Sequence, residues 1–379
     1  MNFNLTKTQE LFRQMIREFA EKEVKPLAAE IDEQERFPAE TVEKMAKLCI
    51  FGIPVPTQYG GAGGDNLMYS IAVEELSRAC ATTGVVVSAH TSLCMAPIME
   101  HGTEEQKMKY LPKLASGEWI GAFGLTEPNA GTDAAGQQTT AVLDGDEWVL
   151  NGNKIFITNA GPAHVYIVIA MTDKSMKTKG ISAFIVEKGT PGFEIGKKEL
   201  KMGIRGSATA ELIFNNCRIP KDNLLGKIGG GFPIAMKTLD GGRIGIASQA
   251  LGIAQAALDE TVKYTKERKQ FGKAIGQFQN TQFQMADLKT RVEAARLLVR
   301  SAAFKKDSGV PYSADAAMAK LFAAETAMEV TTKAVQFHGG YGYTREYPVE
   351  RMMRDAKITE IYEGTSEVQR MVISANLYK

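Results

Sequence analysis

Residues 139–158 read TTAVLDGDEWVLNGNKIFIT, and this stretch decides the fold class. Short apolar and β-branched runs are separated by Asp144-Gly145 and by Asn151-Gly152. Both dipeptides tolerate positive φ, so each predicts a hairpin turn. We therefore expect three short strands here, at 139–143, 147–150 and 154–158. Further runs at 165–170 and 181–186 extend the predicted sheet.

On both sides of this β segment the pattern is helical. Thr6 with Gln9 fits a capping box, apolar residues follow at helical spacing, and Thr103 with Gln106 repeats the device. From residue 231 onward, long Ala-rich amphipathic segments cover 244–268, 280–306 and 313–337.

The order of these segments predicts an α+β fold. Strands and helices do not alternate regularly, which argues against a doubly wound sheet. We expect an N-terminal helical domain (1–120), a middle β-barrel or sandwich-like domain (121–230) and a C-terminal four-helix bundle (231–379).

Composition excludes several classes of function. The 379 residues carry 45 Lys and Arg against 44 Asp and Glu, so no net field favours nucleic acid or an anionic membrane as a partner. The four cysteines show no CxxC spacing and the four histidines no HExxH, which predicts neither a disulfide framework nor a protein-built metal site. The first residues lack the basic and apolar order of a signal peptide, and no stretch reads as a membrane span. We predict a cytoplasmic protein, although a mature mitochondrial matrix enzyme would look similar.

One carboxylate near the C-terminus is a candidate general base. Glu363 lies between Tyr362 and Gly364. Glycine permits close approach of a ligand, and apolar neighbours can desolvate an acid and raise its pKa. Alternatively, Thr365 or Ser366 caps a terminal helix and Glu363 is merely solvated. The residues alone leave both interpretations open.

Two loops could hold a ligand, and a third is disfavoured. Residues 123–133 combine hydroxyls, glycines and free backbone N–H groups, which suits a polar ring or a phosphate but also an ordinary turn. Residues 267–272 concentrate cationic donors before a glycine, which suits an anion or a solvated helix end. The glycine-rich stretch 59–64 lacks both the GxGxxG order and a preceding strand, so a dinucleotide-binding loop is disfavoured there.

Five motifs together resemble the acyl-CoA dehydrogenase family. They are GLTEPNAGTD (124–133), NGNKIFITNA (151–160), ERKQFG (267–272), QFHGGYGYTREYPVERMMRDAKI (336–358) and IYEGTSEVQR (361–370), and they occur in family order along the whole chain. The resemblance implies FAD as cofactor, acyl-CoA as substrate, electron-transferring flavoprotein as electron acceptor and a homotetramer built as a dimer of dimers.

The resemblance also implies roles for single residues. Glu363 is the catalytic base, because the position at which some branches carry it on another helix is here Gly242. Its backbone N–H and a ribityl hydroxyl of the flavin stabilise the thioester oxygen. The residues implied at the flavin ring are Phe123, Leu125, Thr126, Phe156, Ile157 and Thr158. Other implied cofactor contacts are Arg268 at the pyrophosphate with Phe271 and Gln279 nearby, Gln336, Gly339 and Gly340 from a neighbouring subunit at the adenine end, and Thr132, Thr365 and Glu367. The implied substrate contacts are Thr132, Asp240, Arg243, Tyr362 and Gly364, where Asp240 and Arg243 either hold coenzyme A or support the local fold.

Within the family, the segment 198–207 and Glu367 look most like the short-chain, butyryl-type members. We therefore predict desaturation of butyryl-CoA to a trans-2-enoyl-CoA. The alternatives are an acyl-CoA oxidase on the same scaffold and a non-catalytic acyl-CoA-binding protein.

Overall fold

The computed structural model describes residues 4–378. The outermost positions of the two predicted terminal domains, 1–3 and 379, lie outside the described residues. Seven α-helices precede the sheet in this part of the chain. They are α1 Lys7–Phe19, α2 Ala28–Gln34, α3 Ala39–Lys47, α4 Asn66–Ala79, α5 Ala81–Ser88, α6 Ala96–His101 and α7 Glu104–Ala115.

Both predicted capping boxes are confirmed. The Thr6 side chain accepts the N–H of Gln9, and the Gln9 side chain accepts the N–H of Thr6. Thr103 and Gln106 make the same reciprocal pair at the start of α7. These caps satisfy backbone groups that a helix start leaves open, so local sequence fixes where α1 and α7 begin.

A π-helical turn, Ala89–Met95, joins α5 to α6 into one helical run, Ala81–His101. By length and composition this run could cross a membrane, so the expectation that no stretch approaches a membrane span is wrong on those criteria. However, 89% of its most apolar window is buried inside the protein, as in a core helix. Some of its polar side chains bond to the backbone inside the protein: Ser92 donates to the carbonyl of Ser88 at 2.7 Å, and Thr91 donates to the carbonyl of Phe51 at 3.1 Å.

The middle of the chain forms one eight-stranded mixed sheet. Its strands are β1 Gly121–Gly124, β2 Thr140–Asp144, β3 Glu147–Thr158, β4 Val165–Met171, β5 Ile181–Glu187, β6 Phe193–Lys198, β7 Thr209–Pro220 and β8 Leu224–Leu225. The order is β6-β7-β3-β2-β4-β5-β8, and β1 pairs in parallel with β4 beyond the end of β2. The sheet does not close on itself, because β6 and β8 each have a single partner within the described residues.

The hairpin predicted at Asp144-Gly145 is present between β2 and β3, but the one predicted at Asn151-Gly152 is wrong. There β3 continues without a turn and its pairing with β7 shifts register between Leu150 and Gly152. Gly152 has φ +136°, and a Cβ there would lie 2.7 Å from Thr139. The same dipeptide that suits a turn thus serves as a bulge, because β7 offers a full-length partner.

Helices return after the sheet. They are α8 Gly231–Glu267, α9 Gln279–Asp307, α10 Ser313–His338, α11 Val349–Lys357 and α12 Ser366–Leu377, and a two-residue ribbon, β9 Lys269–Gln270 with β10 Lys273–Ala274, precedes α9. Helix α10 packs against α8, α9, α11 and α12. Buried alanines on α8 and α10 let the helix axes approach closely.

Helix α8 also packs against α4 of the N-terminal part, where the hydroxyls of Ser70 and Ser248 lie 2.7 Å apart. The predicted α+β class, with helical, β and helical parts in that order, is confirmed. This arrangement brings α8, α10 and the segment before α12 together around Glu363.

Candidate active site

Glu363 lies in a left-handed turn between α11 and α12. Its φ is +52° and that of Gly364 is +89°. A positive φ is uncommon for a residue with a side chain and costs of order 1 kcal/mol or more, so it persists where neighbours hold it. Here Gln369 holds the turn from the first turns of α12, since its Nε2 donates to the carbonyls of Glu363 and Gly364 at 3.3 and 2.8 Å.

The carboxylate of Glu363 lies against α8 at Gly242. A Cβ at Gly242 would be 2.0 Å from Oε2 of Glu363 and 2.8 Å from Leu93. Oε2 is out of contact with solvent and has no hydrogen-bond partner among the described residues. Burial raises the pKa of Glu363 to about 7, against the opposing pull of Lys320 and Arg243.

The geometry decides between the two interpretations of this segment. Thr365 does cap α12, because its side chain accepts the N–H of Val368. The solvated alternative for Glu363 is nevertheless wrong, since Oε2 of its carboxylate is buried. The backbone N–H of Glu363 has no acceptor within the described residues, so it is available to a ligand. Tyr362 beside it is anchored by a short hydrogen bond from its hydroxyl to Gln249 on α8.

The loop at 124–133 is fixed by a buried ion pair. Nζ of Lys154 on β3 lies 2.7 Å from Glu127 and 3.0 Å from the carbonyl of Leu125. Glu127 also accepts the N–H groups of Gln138 and Thr139 at 2.5 and 3.0 Å. Burial lowers the pKa of Lys154 to about 8 although Glu127 opposes the shift. A buried pair with this many donors holds the loop in one conformation.

This network lies where the loop after β1 meets β3, and β1, this loop and β3 carry the predicted flavin-ring residues. The N–H of Ile155 donates to the carbonyl of Thr126 at 2.9 Å, so the loop and β3 run side by side. Phe123 and Leu125 belong to the same apolar cluster as Leu93, the residue that contacts the Gly242 face near the base.

Phe156 is the most unusual residue of β3. It has φ +59°, lies within a register shift between Lys154 and Ile157, and leaves 60% of its surface exposed. Ile157 is buried and Thr158 half-buried. An exposed aromatic ring held on a bulge beside a rigid polar loop fits a planar aromatic cofactor such as an isoalloxazine. Thr132 is exposed further along the loop.

A second group of predicted cofactor residues lines a cavity of about 500 Å³. Arg268, Gly339 and Gly340 face this cavity together with Tyr341, whose ring lies 5.8 Å from the Arg268 guanidinium carbon. None of the flavin-ring residues lines it. Phe271, Gln279 and Gln336 are exposed outside the lining, with Phe271 93% exposed. The structure therefore separates the implied flavin-ring residues from Arg268, Gly339 and Gly340, and it leaves the other three outside the lining of this cavity.

Asp240 and Arg243 form a pair on α8. Arg243 is buried and donates a short hydrogen bond to Asp240, which also accepts the hydroxyl of Ser313 at 2.8 Å. This pair ties α8 to the start of α10. Glu367 on α12 is exposed.

The described residues 4–378 contain no cluster of His, Cys, Asp and Glu that could hold a metal ion. His338 is buried, stacks on Tyr264 at 4.2 Å and shares a 2.8 Å hydrogen bond between Nδ1 and the carbonyl of Ala334.

Sequence reasoning missed three supporting residues, Lys154, Lys320 and Gln369. Lys320 is fully buried on α10 and donates to the carbonyl of Gly364 at 2.7 Å. A lysine between Ala319 and Leu321 in an alanine-rich segment was a usable signal, since a charge on an apolar helix face demands a partner. Gln369 gave no such signal.

Comparison with protein families gives three consecutive matches. The N-terminal, middle and C-terminal domain models of acyl-CoA dehydrogenases match residues 6–118, 122–217 and 229–378. Together they cover almost the whole chain.

Individual relatives are similar over their full lengths. A short-chain specific acyl-CoA dehydrogenase of Clostridium acetobutylicum is 65% identical, with 100% of both chains covered. The solved butyryl-CoA dehydrogenase of Megasphaera elsdenii is 54% identical with a TM-score of 0.98, and 100% of each chain is covered. A chain in a structural study of the electron transferring flavoprotein of Acidaminococcus fermentans, concerned with flavin-based electron bifurcation, is 58% identical with a TM-score of 0.99 and the same coverage.

Proposed function

This chain belongs to the acyl-CoA dehydrogenase family and is an FAD-dependent oxidoreductase, and we propose that it desaturates butyryl-CoA and similar short-chain thioesters to trans-2-enoyl-CoA. The short-chain preference is supported by the similarity to the Clostridium and Megasphaera enzymes. The observation that carries the reaction is the buried, unpartnered Oε2 of Glu363.

The chemistry requires a base matched to a weak carbon acid. A saturated thioester has a weakly acidic α-carbon, so a carboxylate with an ordinary pKa would be a poor acceptor for its proton. Burial raises the pKa of Glu363 to about 7. We assign Glu363 to take the α-proton. The accepting atom is Oε2, because it has no hydrogen-bond partner among the described residues.

The turn at Glu363 and Gly364 also supplies a hydrogen-bond donor for the thioester oxygen. Negative charge develops on the thioester oxygen as the α-proton leaves, and a fixed N–H donor stabilises it. We assign this role to the free backbone N–H of Glu363, which the left-handed turn holds in place. Tyr362 and Gly364 flank the substrate on either side.

Bound FAD supplies the acceptor for the β-hydride. Its ring would be held by the loop and strand of the first cluster: Phe123, Leu125, Thr126, Phe156, Ile157 and Thr158. We propose that Thr132, Thr365 and Glu367 contact the cofactor or substrate at the rim of this cluster, and that Asp240 and Arg243 support the coenzyme A side of α8.

The second cluster suits the diphosphate and adenine end. Arg268 offers a bidentate cation, and Gly339 and Gly340 leave room for close approach. Because this cavity excludes every flavin-ring residue, we propose that it receives the cofactor of a neighbouring subunit, with Gln336, Phe271 and Gln279 at its edge. Such a shared site requires at least a dimer, and we propose a homotetramer built as a dimer of dimers. Light scattering should give about four times the 41.3 kDa chain mass, and a monomer retaining FAD would contradict the proposal.

We further propose electron-transferring flavoprotein as the electron acceptor, supported by the likeness to the chain studied with that protein in Acidaminococcus. We also propose that this chain is cytoplasmic, which its similarity to bacterial acyl-CoA dehydrogenases supports.

The test is Glu363→Gln in the FAD-loaded enzyme, mixed anaerobically with butyryl-CoA. Bleaching of the flavin absorbance should slow by about 10³-fold while the thioester still binds, because the amide cannot accept the proton. Glu329→Gln is the matched control, since Glu329 pairs with Arg291 at 2.6 Å and is not among the charged groups that act on Glu363 or Lys320. A Glu363→Gln variant that keeps most of the wild-type rate places the base elsewhere.

The same preparation separates the alternatives. Rapid reoxidation of the reduced enzyme by air would identify an oxidase. A protein without yellow chromophore or spectral response to acyl-CoA would identify a non-catalytic binding protein.

A further inference from the structure

Lys320 is a cation in the protein interior. It has no exposed surface, and its Nζ donates to the carbonyl of Gly364 at 2.7 Å. Burying an ammonium group is costly unless strong partners surround it. Burial lowers the pKa of Lys320 to about 8 even though the nearby Glu363 raises it. The fold thus holds a charge where a neutral side chain would meet a smaller penalty.

The hydrogen bond alone does not account for this charge. The carbonyl of Gly364 also accepts Nε2 of Gln369 at 2.8 Å. Without Lys320 that carbonyl would still have a donor, so the ammonium is not needed to satisfy it.

The charges around Glu363 come from several elements. On α8, Arg243 is already engaged by Asp240. On α4, burial raises the pKa of Tyr69 to about 12. Burial also raises the pKa of Tyr362, next to Glu363 in the chain, well above its usual value, so both phenols are neutral. Two cations, Lys320 and Arg243, lower the pKa of Glu363 against the effect of burial, and the effect of Lys320 is the larger.

Lys320 itself also faces acids other than Glu363. Glu360 and Glu367 both raise its pKa from the two sides of the turn. These acids help to keep the ammonium charged in its buried position.

We propose that Lys320 is a positioning residue for the base: its ammonium fixes the left-handed turn at Glu363 and Gly364, and its charge keeps the buried carboxylate in the proton-accepting form. This inference rests on the proposed function of Glu363. It gives the lysine a role through Glu363 and not through contact with the substrate.

The experiment compares Lys320→Met with the wild type. The pH midpoint of Glu363 is measured by pH-difference infrared spectra of the carboxyl band, with Glu363→Gln as the reference, and by the acid limb of anaerobic flavin reduction with butyryl-CoA. Loss of the nearby cation should move both midpoints up by about one pH unit, which is a tenfold loss of ionised base at pH 6.

Lys201→Met is the matched control. Lys201 also has a pKa lowered to about 8 by burial and donates to a backbone carbonyl, that of Ser207, at 2.8 Å, but Glu363 is not among its charged neighbours. Its midpoints should equal those of the wild type. Lys320→Arg, which keeps the charge, should also leave the infrared midpoint in place.

Equal midpoints in Lys320→Met and wild type would overturn the inference, as would an equal shift in Lys201→Met. If Lys320→Met does not fold, Lys320→Gln and Lys320→Arg decide: a shift in Gln alone supports the role of charge, and the same midpoint in both refutes it. A wild type that butyryl-CoA fails to reduce would refute the proposed function instead, while the infrared comparison would still report on Lys320.

Discussion

Gly242→Ala tests whether the carboxylate of Glu363 must lie directly on the surface of α8. An added Cβ would be 2.0 Å from Oε2 of Glu363 and 2.8 Å from Cδ2 of Leu93. Ordinary van der Waals contact begins near 3.4 Å. The carboxylate must therefore move by about 1.4 Å, or Leu93 and the helix must shift with it.

The consequence for activity is large and that for stability small. A misplacement of about 1 Å at a reacting group can cost about 10²-fold in rate, or about 2.7 kcal/mol of activation free energy. The displaced group is the flexible end of a side chain, and alanine is the better helix former by about 1 kcal/mol. We therefore expect a near-native melting temperature together with a rate reduced about 100-fold.

The assay is anaerobic stopped-flow reduction of the flavin by butyryl-CoA, with thermal unfolding measured in parallel. Gly241→Ala is the control on the same helix. The nearest atom to its added Cβ would be Nζ of Lys306, at 3.0 Å, which is the flexible end of a side chain. A Gly242→Ala enzyme within twofold of wild type would refute the placement of the base. If the melting temperature falls together with the rate of flavin reduction, the slower rate reflects unfolding and the expected near-native stability is wrong.

Three further predictions follow from the site. The kcat/KM for butyryl-CoA should rise about tenfold per pH unit below pH 7 and level off above it, because Glu363 must be ionised and burial holds its pKa at about 7; a profile that is flat from pH 5 would contradict this. Lys154→Met should lower the free energy of unfolding by about 3 to 5 kcal/mol in urea titrations, since it leaves Glu127 buried without its cation, and a loss below about 1 kcal/mol would show the pair to be dispensable. Phe156→Ala should change stability by less than about 1 kcal/mol, because the ring is largely exposed, but should lower the flavin content after gel filtration; full retention of flavin would exclude a contact with the ring.

Local signals predicted most of the fold. The capping residues of α1 and α7 and the Asp144-Gly145 turn act on backbone groups within a few positions, so the sequence displays them directly. The hairpin at Asn151-Gly152 was wrong because a tertiary partner decided it: the side chain of Asn151 accepts the N–H of Asn216 on β7, which keeps β3 in the sheet. Likewise α8 begins at Gly231, well before the predicted start at 244. Its first turns pack against other parts of the chain, with Gly231 against Ser182 of β5 and Gly242 beside Leu93, and this packing outweighs the low helix propensity of the glycines.

The sequence pointed to a candidate site but did not display the surroundings of its residues. Motif order pointed to Glu363, yet its burial depends on Gly242, a residue distant in sequence whose empty side leaves space for the carboxylate. The alanine-rich surroundings of Lys320 signal that it is buried, but its contact with the carbonyl of Gly364 depends on how α10 packs and is not visible in the sequence. The proposed domain limits at 120/121 and 230/231 fall close to where helices give way to strands and strands to α8.

The attachment of Gln369 to both carbonyls of the Glu363 turn gives the final helix a second task. Gln369 lies only four residues from the Thr365 cap, so fraying of α12 would slacken the turn before it disturbed the sheet or the long helices. A chain that ends before Gln369 would lack both of these hydrogen bonds, so we expect it to fold but to reduce its flavin slowly with butyryl-CoA.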